Sequence, residues 1–190
     1  MLQLLLLAST VIIPAPTHPN LVVNGDFSAG NKGFKSDYLY SQDIGADGSN
    51  FVGSNPHDSH SGGAVFGDHT SGKGLMLLAN GSANANTAVW EETVKVAPNH
   101  KYIFALWTAT WSLSLNDGRN GDYSPARLVV YVNGKPINQP YATNVLDGVW
   151  TKLVATWSSG SAKTADIRIV DENLDQYGND FAIDDIVFHS

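Results

Sequence analysis

Apolar and polar residues alternate along most of the chain, and this period of two predicts β-strands. Four segments show the alternation and are bounded by Gly, Pro, Asn or Asp: residues 92–96, 128–132, 153–157 and 167–170. Asn133 and Gly134 follow one of them, and this dipeptide favours a type I′ hairpin turn because both positions need a positive φ. Helix signals are scarce, so the pattern predicts an all-β fold.

The two ends of the domain carry similar apolar runs beside acidic residues. Residues 180–189 are predicted to form one strand with Asp184 and Asp185 in its middle. Residues 20–28 combine an apolar run with an acidic turn. Strands from the two ends of a domain meet in β-sandwiches, so we expect these segments to share a sheet, where the carboxylates could bind one cation.

Residues 102–111 are predicted to form a strand with two different faces. One face carries Ile103, Ala105, Trp107, Ala109 and Trp111, and the other carries Tyr102, Phe104, Leu106, Thr108 and Thr110. One face must belong to the core, and the other could present an aromatic platform on which a sugar ring stacks. The alternative, that both Trp side chains are core residues, stays open because large aromatics dominate sandwich cores.

Length, charge and composition exclude some classes of function. The chain has 190 residues and a net charge of −7, and no segment concentrates Lys or Arg, so a nucleic-acid partner is not expected. It contains no Cys and therefore no disulfide. Residues 18–190 have a length typical of a single sandwich, and we expect one domain and a monomer.

Residues 1–17 are predicted to be a signal peptide that is incomplete at its start. The apolar run over residues 2–13 has the length of a signal-peptide core and is too short to span a bilayer. A buried strand is the alternative, and the first three residues lack the usual positive charge. No second apolar segment follows, so we expect a secreted domain, extracellular or at the cell surface, without a membrane span.

The long polar segment of residues 37–74 contains several candidate motifs. Residues 67–74 nearly match a phosphate-binding loop, but Gly74 stands where the magnesium-binding Ser or Thr belongs, so nucleotide binding is rejected. His57, His60 and His69 could form a transition-metal site, although polar loops also collect His without function. Long structured loops often carry function, which directs attention to this segment.

Calcium is favoured over a transition metal on the chemistry of the available ligands. Hard cations prefer carboxylate and carbonyl oxygens. Asp26, Asp68, Asp184 and Asp185 supply carboxylates in the predicted turns and in the last strand. The alternative is that these are solvated acids in turns.

The common catalytic signatures are missing from the sequence. It has no Gly-x-Ser-x-Gly elbow, no Cys nucleophile and no His-Glu-x-x-His motif. A glycosidase with two carboxylates remains an alternative that the sequence does not exclude. We therefore predict that the protein is not an enzyme.

Five motifs in a fixed order resemble a known family. They are Val23-Asn24-Gly25-Asp26-Phe27-Ser28 and residues 69–74, 89–96, 102–107 and 180–186. In this order they resemble the jelly-roll, galactose-binding-like carbohydrate-binding modules attached to bacterial xylanases and glucanases. The resemblance looks closest to a branch in secreted bacterial proteins with cell-surface sorting tails. It implies a two-sheet antiparallel β-sandwich.

The resemblance also implies a structural calcium ion that joins the N-terminal turn, the Ser-Gly-Lys loop and the last strand. By position, its ligands are expected at Gly25, Ser28, Lys73 and Asp184. The family usually has Glu where Ser28 stands, so a charged ligand is lost unless Asp26 or Asp68 replaces it.

The expected partner is a polysaccharide or a cell-surface glycan, bound by aromatic stacking and polar contacts. Trp107, Trp111, Tyr123 and the loop of residues 37–68 are the candidate contacts. The family does not supply these residues by position, because its sugar contacts vary between modules. The alternative is a structural or adhesive domain of the extracellular matrix or cell surface that does not bind glycans.

Overall fold

Two facing β-sheets form the protein in a computed structural model that describes residues 18–112 and 124–190. Six strands form the first sheet: β1 (Leu39–Tyr40), β2 (Ser49–Gly53), β3 (Met76–Asn80), β5 (Lys101–Thr110), β9 (Thr151–Ser158) and β11 (Phe181–His189). Five strands form the second: β4 (Ala88–Lys95), β6 (Arg127–Val132), β7 (Lys135–Pro136), β8 (Tyr141–Ala142) and β10 (Thr164–Asp171).

The strand order interleaves distant parts of the chain. The first sheet runs β1-β2-β3-β11-β5-β9, and the second runs β4-β10-β6-β7 with β8 also pairing with β6. The pairings between these strands are antiparallel, except that β1 and β2 run parallel. The predicted all-β, two-sheet sandwich is therefore confirmed. The four segments predicted from alternation also form strands: three lie within β6, β9 and β10, and residues 92–96 lie in β4 except for Val96, which follows its end.

The main core lies between the two sheets. Its residues show which face of β5 is buried there. Tyr102, Phe104 and Leu106 are buried in this core. The opposite face of β5 turns outward, and there Trp111 joins a second buried cluster with Ile44, Met76, Leu78 and Ala182. Partly buried Phe51, Phe66 and Trp150 pack against this second cluster. The outer face of the six-stranded sheet is thus partly covered by the loops that surround it.

The N-terminal segment meets the last strand but is not itself a strand. The Leu21 N–H donates to Phe188 O, and the side chain of Asn20 bonds both Ile186 O and the Phe188 N–H. Positive φ angles at Asn24 (59°) and Phe27 (53°) turn the chain away from an extended path. The predicted contact between the chain ends is correct, while the predicted strand pairing is wrong because this turn interrupts it.

Two local features follow directly from the sequence. Asn133 and Gly134 adopt φ angles of 50° and 75° and join β6 to β7, which confirms the predicted hairpin turn. A bulge between Asp184 and Val187 interrupts the pairing of β11 with β5, and Asp185 has a φ of 49° there. This bulge turns the carboxylates of the last strand toward the loop of residues 68–70.

The long polar segment is more regular than an open loop. It contains β1, β2 and one 3₁₀ turn at Pro56–Asp58. Asn55 caps this turn, since its Oδ1 accepts a hydrogen bond from the His57 N–H at 3.2 Å. Over residues 18–112 and 124–190, no helix has the length and hydrophobicity needed to cross a bilayer.

Candidate functional site

A polar cleft of about 750 Å³ opens within the segment of residues 42–61. The lining side chains and backbone belong to Gln42, Asp43, Gly45, His57, Asp58, Ser59, His60 and Ser61. They supply carboxylate, amide, imidazole and hydroxyl groups. A concave surface with several convergent polar groups is the usual form of a small-ligand site.

Local hydrogen bonds hold the two sides of the cleft together. Asp43 Oδ1 accepts from the Gly45 N–H at 2.9 Å, which closes a small turn. The Ile44 N–H donates to Ser59 O at 3.1 Å and ties this turn to the end of the 3₁₀ turn. The cleft is therefore held by one bond to the Asp43 side chain and one bond between backbone groups.

The two His side chains of the cleft have different hydrogen-bonding roles. His57 Nδ1 lies 3.0 Å from Gly63 O, so this nitrogen must carry a proton, and Nε2 of the neutral ring is an acceptor. His60 Nδ1 instead accepts from the Gly62 N–H at 3.1 Å, so Nε2 carries the proton and is a donor. The two rings therefore use Nδ1 in opposite roles, as a donor in His57 and as an acceptor in His60.

Trp111 is not a stacking platform, and this prediction is corrected. Its side chain is 0% exposed. Its Nε1 donates to both Ala79 O (3.1 Å) and Phe181 O (3.0 Å), which ties the ring to β3 and β11. The ring of His60 packs against it, with 5.4 Å between ring centroids. Trp111 therefore supports the cleft from the core and does not contact solvent.

Trp107 lies on the same face of β5 but is only half-buried. The imidazole of His69 stacks on its ring with centroids 3.9 Å apart and the planes 17° apart. Lys152 Nζ lies over the ring at 5.7 Å from its centroid. His69 is fixed in turn by Asp185, whose Oδ2 lies 2.7 Å from Nδ1. A sugar could stack on this ring only by displacing a neighbouring side chain. Tyr123, the third predicted contact, lies outside the described residues.

The three segments predicted to hold calcium do converge. The Ile186 N–H donates to Gly25 O at 2.8 Å, and a Cβ on Gly25 would lie only 2.1 Å from Ile186 O. The His69 N–H donates to Asp184 Oδ2 at 2.9 Å. The N-terminal turn, the loop of residues 68–74 and the last strand are therefore joined by direct hydrogen bonds.

Three of the predicted metal ligands line one cavity. It measures about 270 Å³ and is lined by Asp26, Ser28, Asp68, Thr70, Ser71, Gly74 and Leu75. Ser28 Oγ donates to Asp26 Oδ1 at 2.9 Å. The Lys73 N–H donates to Ser71 Oγ at 3.2 Å, which helps to fold the loop. Carboxylate and hydroxyl oxygens at such a place suit a hard cation.

The buried carboxylates of this region already have N–H donors. Desolvation favours a higher pKa for Asp68, but hydrogen bonds from Gly74 and Ser71 outweigh it and lower the pKa below its ordinary value. Asp184 accepts from the N–H groups of His69 and Asp185, yet burial raises its pKa to about 7. Among the described residues, no three Asp, Glu, His or Cys side chains form a metal-holding group. The oxygen chemistry fits calcium, and calcium binding stays a prediction.

The individual cleft residues were only partly anticipated. The loop of residues 37–68 was expected to contact a ligand, and His57 and His60 were considered only as metal ligands. Gln42 and Asp43 were not singled out. The Asp43-Ile44-Gly45 turn is a local signal that could have marked them, because Asp two residues before Gly is typical of a side-chain-capped turn.

Comparison with solved structures identifies the architecture. The tandem CBM22-1–CBM22-2 domain of Paenibacillus barcinonensis Xyn10C aligns with a TM-score of 0.56 and 13% identity, over 93% of this chain and 46% of that chain. A family 16 carbohydrate-binding module aligns with a TM-score of 0.50 and 18% identity, over 90% of this chain and 100% of that chain.

An enzyme chain shows a similar match. The arabinose-bound α-L-arabinofuranosidase MgGH51 aligns with a TM-score of 0.51 and 11% identity, over 90% of this chain but only 26% of its own. No family model and no curated protein matches the sequence. Identities this low establish the fold alone. The chain therefore has the jelly-roll β-sandwich fold of carbohydrate-binding modules.

Proposed function

We propose that this protein is a non-catalytic carbohydrate-binding module that binds a glycan in the polar cleft of residues 42–61. The observation that carries the proposal is the cleft itself, a concave site of about 750 Å³ lined by side chains that can both donate and accept hydrogen bonds. Solved structures that share the fold are named as carbohydrate-binding modules, which supports the same class of ligand.

The charges of the cleft favour a neutral glycan over an acidic one. Asp43 and Asp58 line it, and no Lys or Arg does so among the described lining residues. A carboxylate accepts strong hydrogen bonds from sugar hydroxyls but repels the carboxylates of an acidic polysaccharide. We expect binding to a neutral glycan to persist at high salt, because it does not depend on long-range charge attraction.

An exposed aromatic side chain two residues before the cleft in the sequence is available for stacking. Tyr40 is 45% exposed and precedes the lining residue Gln42 by two positions. Its ring packs at a tilt against Phe51, with 5.5 Å between centroids, which limits its motion. We infer that Tyr40, rather than either predicted Trp, contributes the stacking face.

We also propose that calcium binds at the meeting point of the chain ends and stabilises the fold of a secreted domain. Asp184 would be the buried ligand, and Asp26 would supply the charge that Ser28 lacks. A ligand that binds only the folded state raises the melting temperature. EDTA should therefore lower the melting temperature of the wild-type protein, and Asp184→Asn should reduce this response.

The first test is a binding screen of the purified chain against neutral and acidic polysaccharides, followed by calorimetry with the best ligand. Asp43→Asn and Tyr40→Ala should each weaken binding at least tenfold without changing the melting temperature. Asp166→Asn, an exposed substitution on β10, is the matched control and should bind like the wild type. Retention of full affinity by both cleft variants would remove the cleft from the binding site.

A second candidate function is a protein-binding or adhesive role. Val65 (75% exposed), Leu146 (56%) and Val149 (40%) are large exposed apolar residues. The ring of Phe66 lies against Gly148, which places the loops that carry them side by side. Failure of a folded sample to bind any polysaccharide, together with capture of a protein partner that Leu146→Asp abolishes, would favour this role.

A further inference from the structure

A buried polar cluster lies between the sheets where β10 ends and β11 begins. It consists of Tyr38, Asp171, Asn179 and Asp180, and we call it the interior polar cluster. The exposed fractions are 5% for Tyr38, 2% for Asp171, 0% for Asn179 and 8% for Asp180. None of these residues belongs to the cleft or to the predicted calcium ligands at the chain ends.

Three oxygen atoms of this cluster lack a hydrogen-bond partner. They are the Tyr38 hydroxyl, Asp171 Oδ2 and Asn179 Oδ1. Buried polar atoms are nearly always satisfied in folded proteins, so three unpartnered oxygens in one place need an explanation. Other polar atoms of these side chains do form hydrogen bonds. Asp171 Oδ1 accepts from the N–H groups of Arg127 (2.7 Å) and Asn173 (2.9 Å).

The unpartnered groups lie close to one another. Burial raises the pKa of Asp171 to about 6, the adjacent Asn179 side chain opposes this rise, and the charge of Asp180 adds to it. The charges of Asp171 and Asp180 also raise the pKa of Tyr38, after the larger effect of its own burial. Hydrogen bonds place the groups together as well, because Asn173 donates its N–H to Asp171 Oδ1 and accepts at its carbonyl from the Asn179 side chain. The two carboxyls, the amide and the phenol therefore share one region of the interior.

A glycine in the backbone leaves room for the Asn179 side chain. A Cβ on Gly81 would lie 2.1 Å from Asn179 Cγ, so only glycine leaves room for the amide at this position. The Gly81 N–H donates to Asp180 Oδ1 at 3.2 Å, and the Ser112 hydroxyl donates to Asp180 Oδ2, so both oxygens of this carboxylate already accept a hydrogen bond. The Asn179 Nδ2 donates to Asn173 O at 3.1 Å. With its nitrogen held in this way, the Asn179 amide leaves its oxygen without a partner.

The chemistry of the cluster matches a hard cation. Its polar atoms are oxygens of two carboxylates, one carboxamide and one phenol. Across residues 18–112 and 124–190, the Lys and Arg ion pairs with Asp or Glu involve Arg168 with Asp37 and Glu91, and none involves Asp171 or Asp180. The charge of His60 acts on Asp180 and opposes the rise of its pKa, whereas no ion pair of the described residues involves Asp171. A buried carboxylate without a basic partner is unfavourable unless it is protonated or binds a cation. Calcium prefers carboxylate and carboxamide oxygens.

We propose that Asp171 Oδ2 and Asn179 Oδ1, together with Asp180, bind a calcium ion inside the sandwich. This ion is distinct from the one predicted at the chain ends, which involves Asp184, and the inference does not depend on glycan binding. By linking the end of β10 to the start of β11, it would fix the connection of residues 172–180 and stabilise the join between the two sheets.

The test compares calcium content and thermal stability of five proteins: wild type, Asp171→Asn, Asp184→Asn, the double variant with both substitutions, and the control Asp166→Asn. Each is unfolded in EDTA, refolded with or without calcium and desalted before metal analysis. Asp171→Asn should hold one calcium ion fewer than wild type, in the Asp184→Asn background as well. Calcium at about 100 times its Kd should raise the melting temperature of the Asp184→Asn protein by about 5 to 10 °C. This rise should be absent when Asp171→Asn is added.

A second variant keeps the test decisive if Asp171→Asn folds poorly. Asn179→Asp adds a carboxylate beside Asp171, so it should bind calcium at least tenfold more tightly while melting at a lower temperature in EDTA. A protonated or hydrated cluster behaves differently, since Asp171→Asn would then be neutral or stabilising. Equal calcium content in wild type and Asp171→Asn, or a loss of calcium affinity in Asn179→Asp, would overturn the proposal.

Discussion

Trp107 in β5 and Trp111, one residue past the end of that strand, have different surroundings. Trp111 is fully buried at one end of the outer face of the six-stranded sheet, where its Nε1 bonds two carbonyl groups and the loops around Ile44 and Phe66 cover it. Trp107 is half-buried at the other end, between His69 and Lys152. The period-two pattern of a strand therefore predicts on which face of the sheet a side chain lies. Loops from distant parts of the chain decide whether that face is exposed to solvent.

The surroundings of Trp111 and of Trp107 also differ in the proposed site to which each is connected. The Trp111 end supports the cleft through His60, so its rigidity serves the proposed ligand site. The Trp107 end connects through His69 to the carboxylates of the last strand and so to the predicted calcium site at the chain ends. A substitution at either end should therefore affect a different property of the protein.

The largest expected effect is from Trp111→Ala. Removing a fully buried Trp and its two hydrogen bonds should lower the free energy of unfolding by about 3 to 5 kcal/mol, measured by urea denaturation. Glycan affinity should fall as well, because His60 loses its support. Trp111→Phe, which keeps a ring but no N–H donor, should lose less stability. A loss below about 1 kcal/mol in Trp111→Ala would contradict burial in the core.

Trp107→Ala should have a smaller effect on stability and none on glycan binding. Half-burial and one stacked ring suggest a loss of about 2 kcal/mol in the free energy of unfolding. Denaturation and calorimetry on the same sample check the two parts of this prediction. If glycan affinity fell tenfold while the fold stayed intact, Trp107 would be a stacking platform and the binding site would have to be moved to this end.

One part of the dependence of stability on pH should come from the Trp107 end, beside the contributions of Asp171 and Asp180, whose pKa values burial also raises to about 6. Burial raises the pKa of Asp184 to about 7, above its value in the unfolded chain, so the folded state favours the protonated carboxyl. Stability from this group is therefore complete at about pH 4 and falls as the pH rises toward 7. In EDTA, urea denaturation of Asp184→Asn should show a weaker fall over this range than the wild type does. Identical pH profiles would show that Asp184 does not titrate in this way.

The smallest effect is expected from Lys152→Ala. An exposed cation over an aromatic ring contributes about 0.5 kcal/mol, and added salt weakens it. Denaturation at low and high salt should show a small loss that disappears at high salt. Lys101→Ala, an exposed Lys on the neighbouring strand, is the control for the change in net charge. A loss above about 1.5 kcal/mol would mean that Lys152 fixes the Trp107 ring more firmly than this contact implies.

Much of the fold followed from local patterns. Alternation predicted β4, β6, β9 and β10, the Asn133-Gly134 pair predicted its hairpin, and the last strand was predicted with its acidic pair. These features depend on nearest-neighbour backbone preferences, which a sequence displays directly. The N-terminal segment was misjudged as a strand because its apolar run does not reveal the positive φ of Asn24 and Phe27.

The candidate sites were less accessible from sequence. The segment of residues 37–68 could be recognised as a long polar loop, but the cleft within it depends on Ile44 meeting Ser59 across a backbone bond. The convergence of Gly25, the loop of residues 68–74 and Asp184 came from a family resemblance and not from spacing. The interior polar cluster had no signal in the sequence, since an acid after an alternating strand, such as Asp171, is expected on a solvated face.

The sequence alone therefore determined the strand-forming segments, the negative net charge and the residue types available for chemistry, because these depend on composition and short-range periodicity. Only the tertiary structure decided which Trp is buried, which His nitrogens donate, and which carboxylates lack partners. Those properties arise where the chain folds back on itself, over a few residues for His57 and His60 and over more than a hundred residues where Asp184 meets His69. Burial and hydrogen-bond satisfaction are properties of that packing, so no local pattern encodes them.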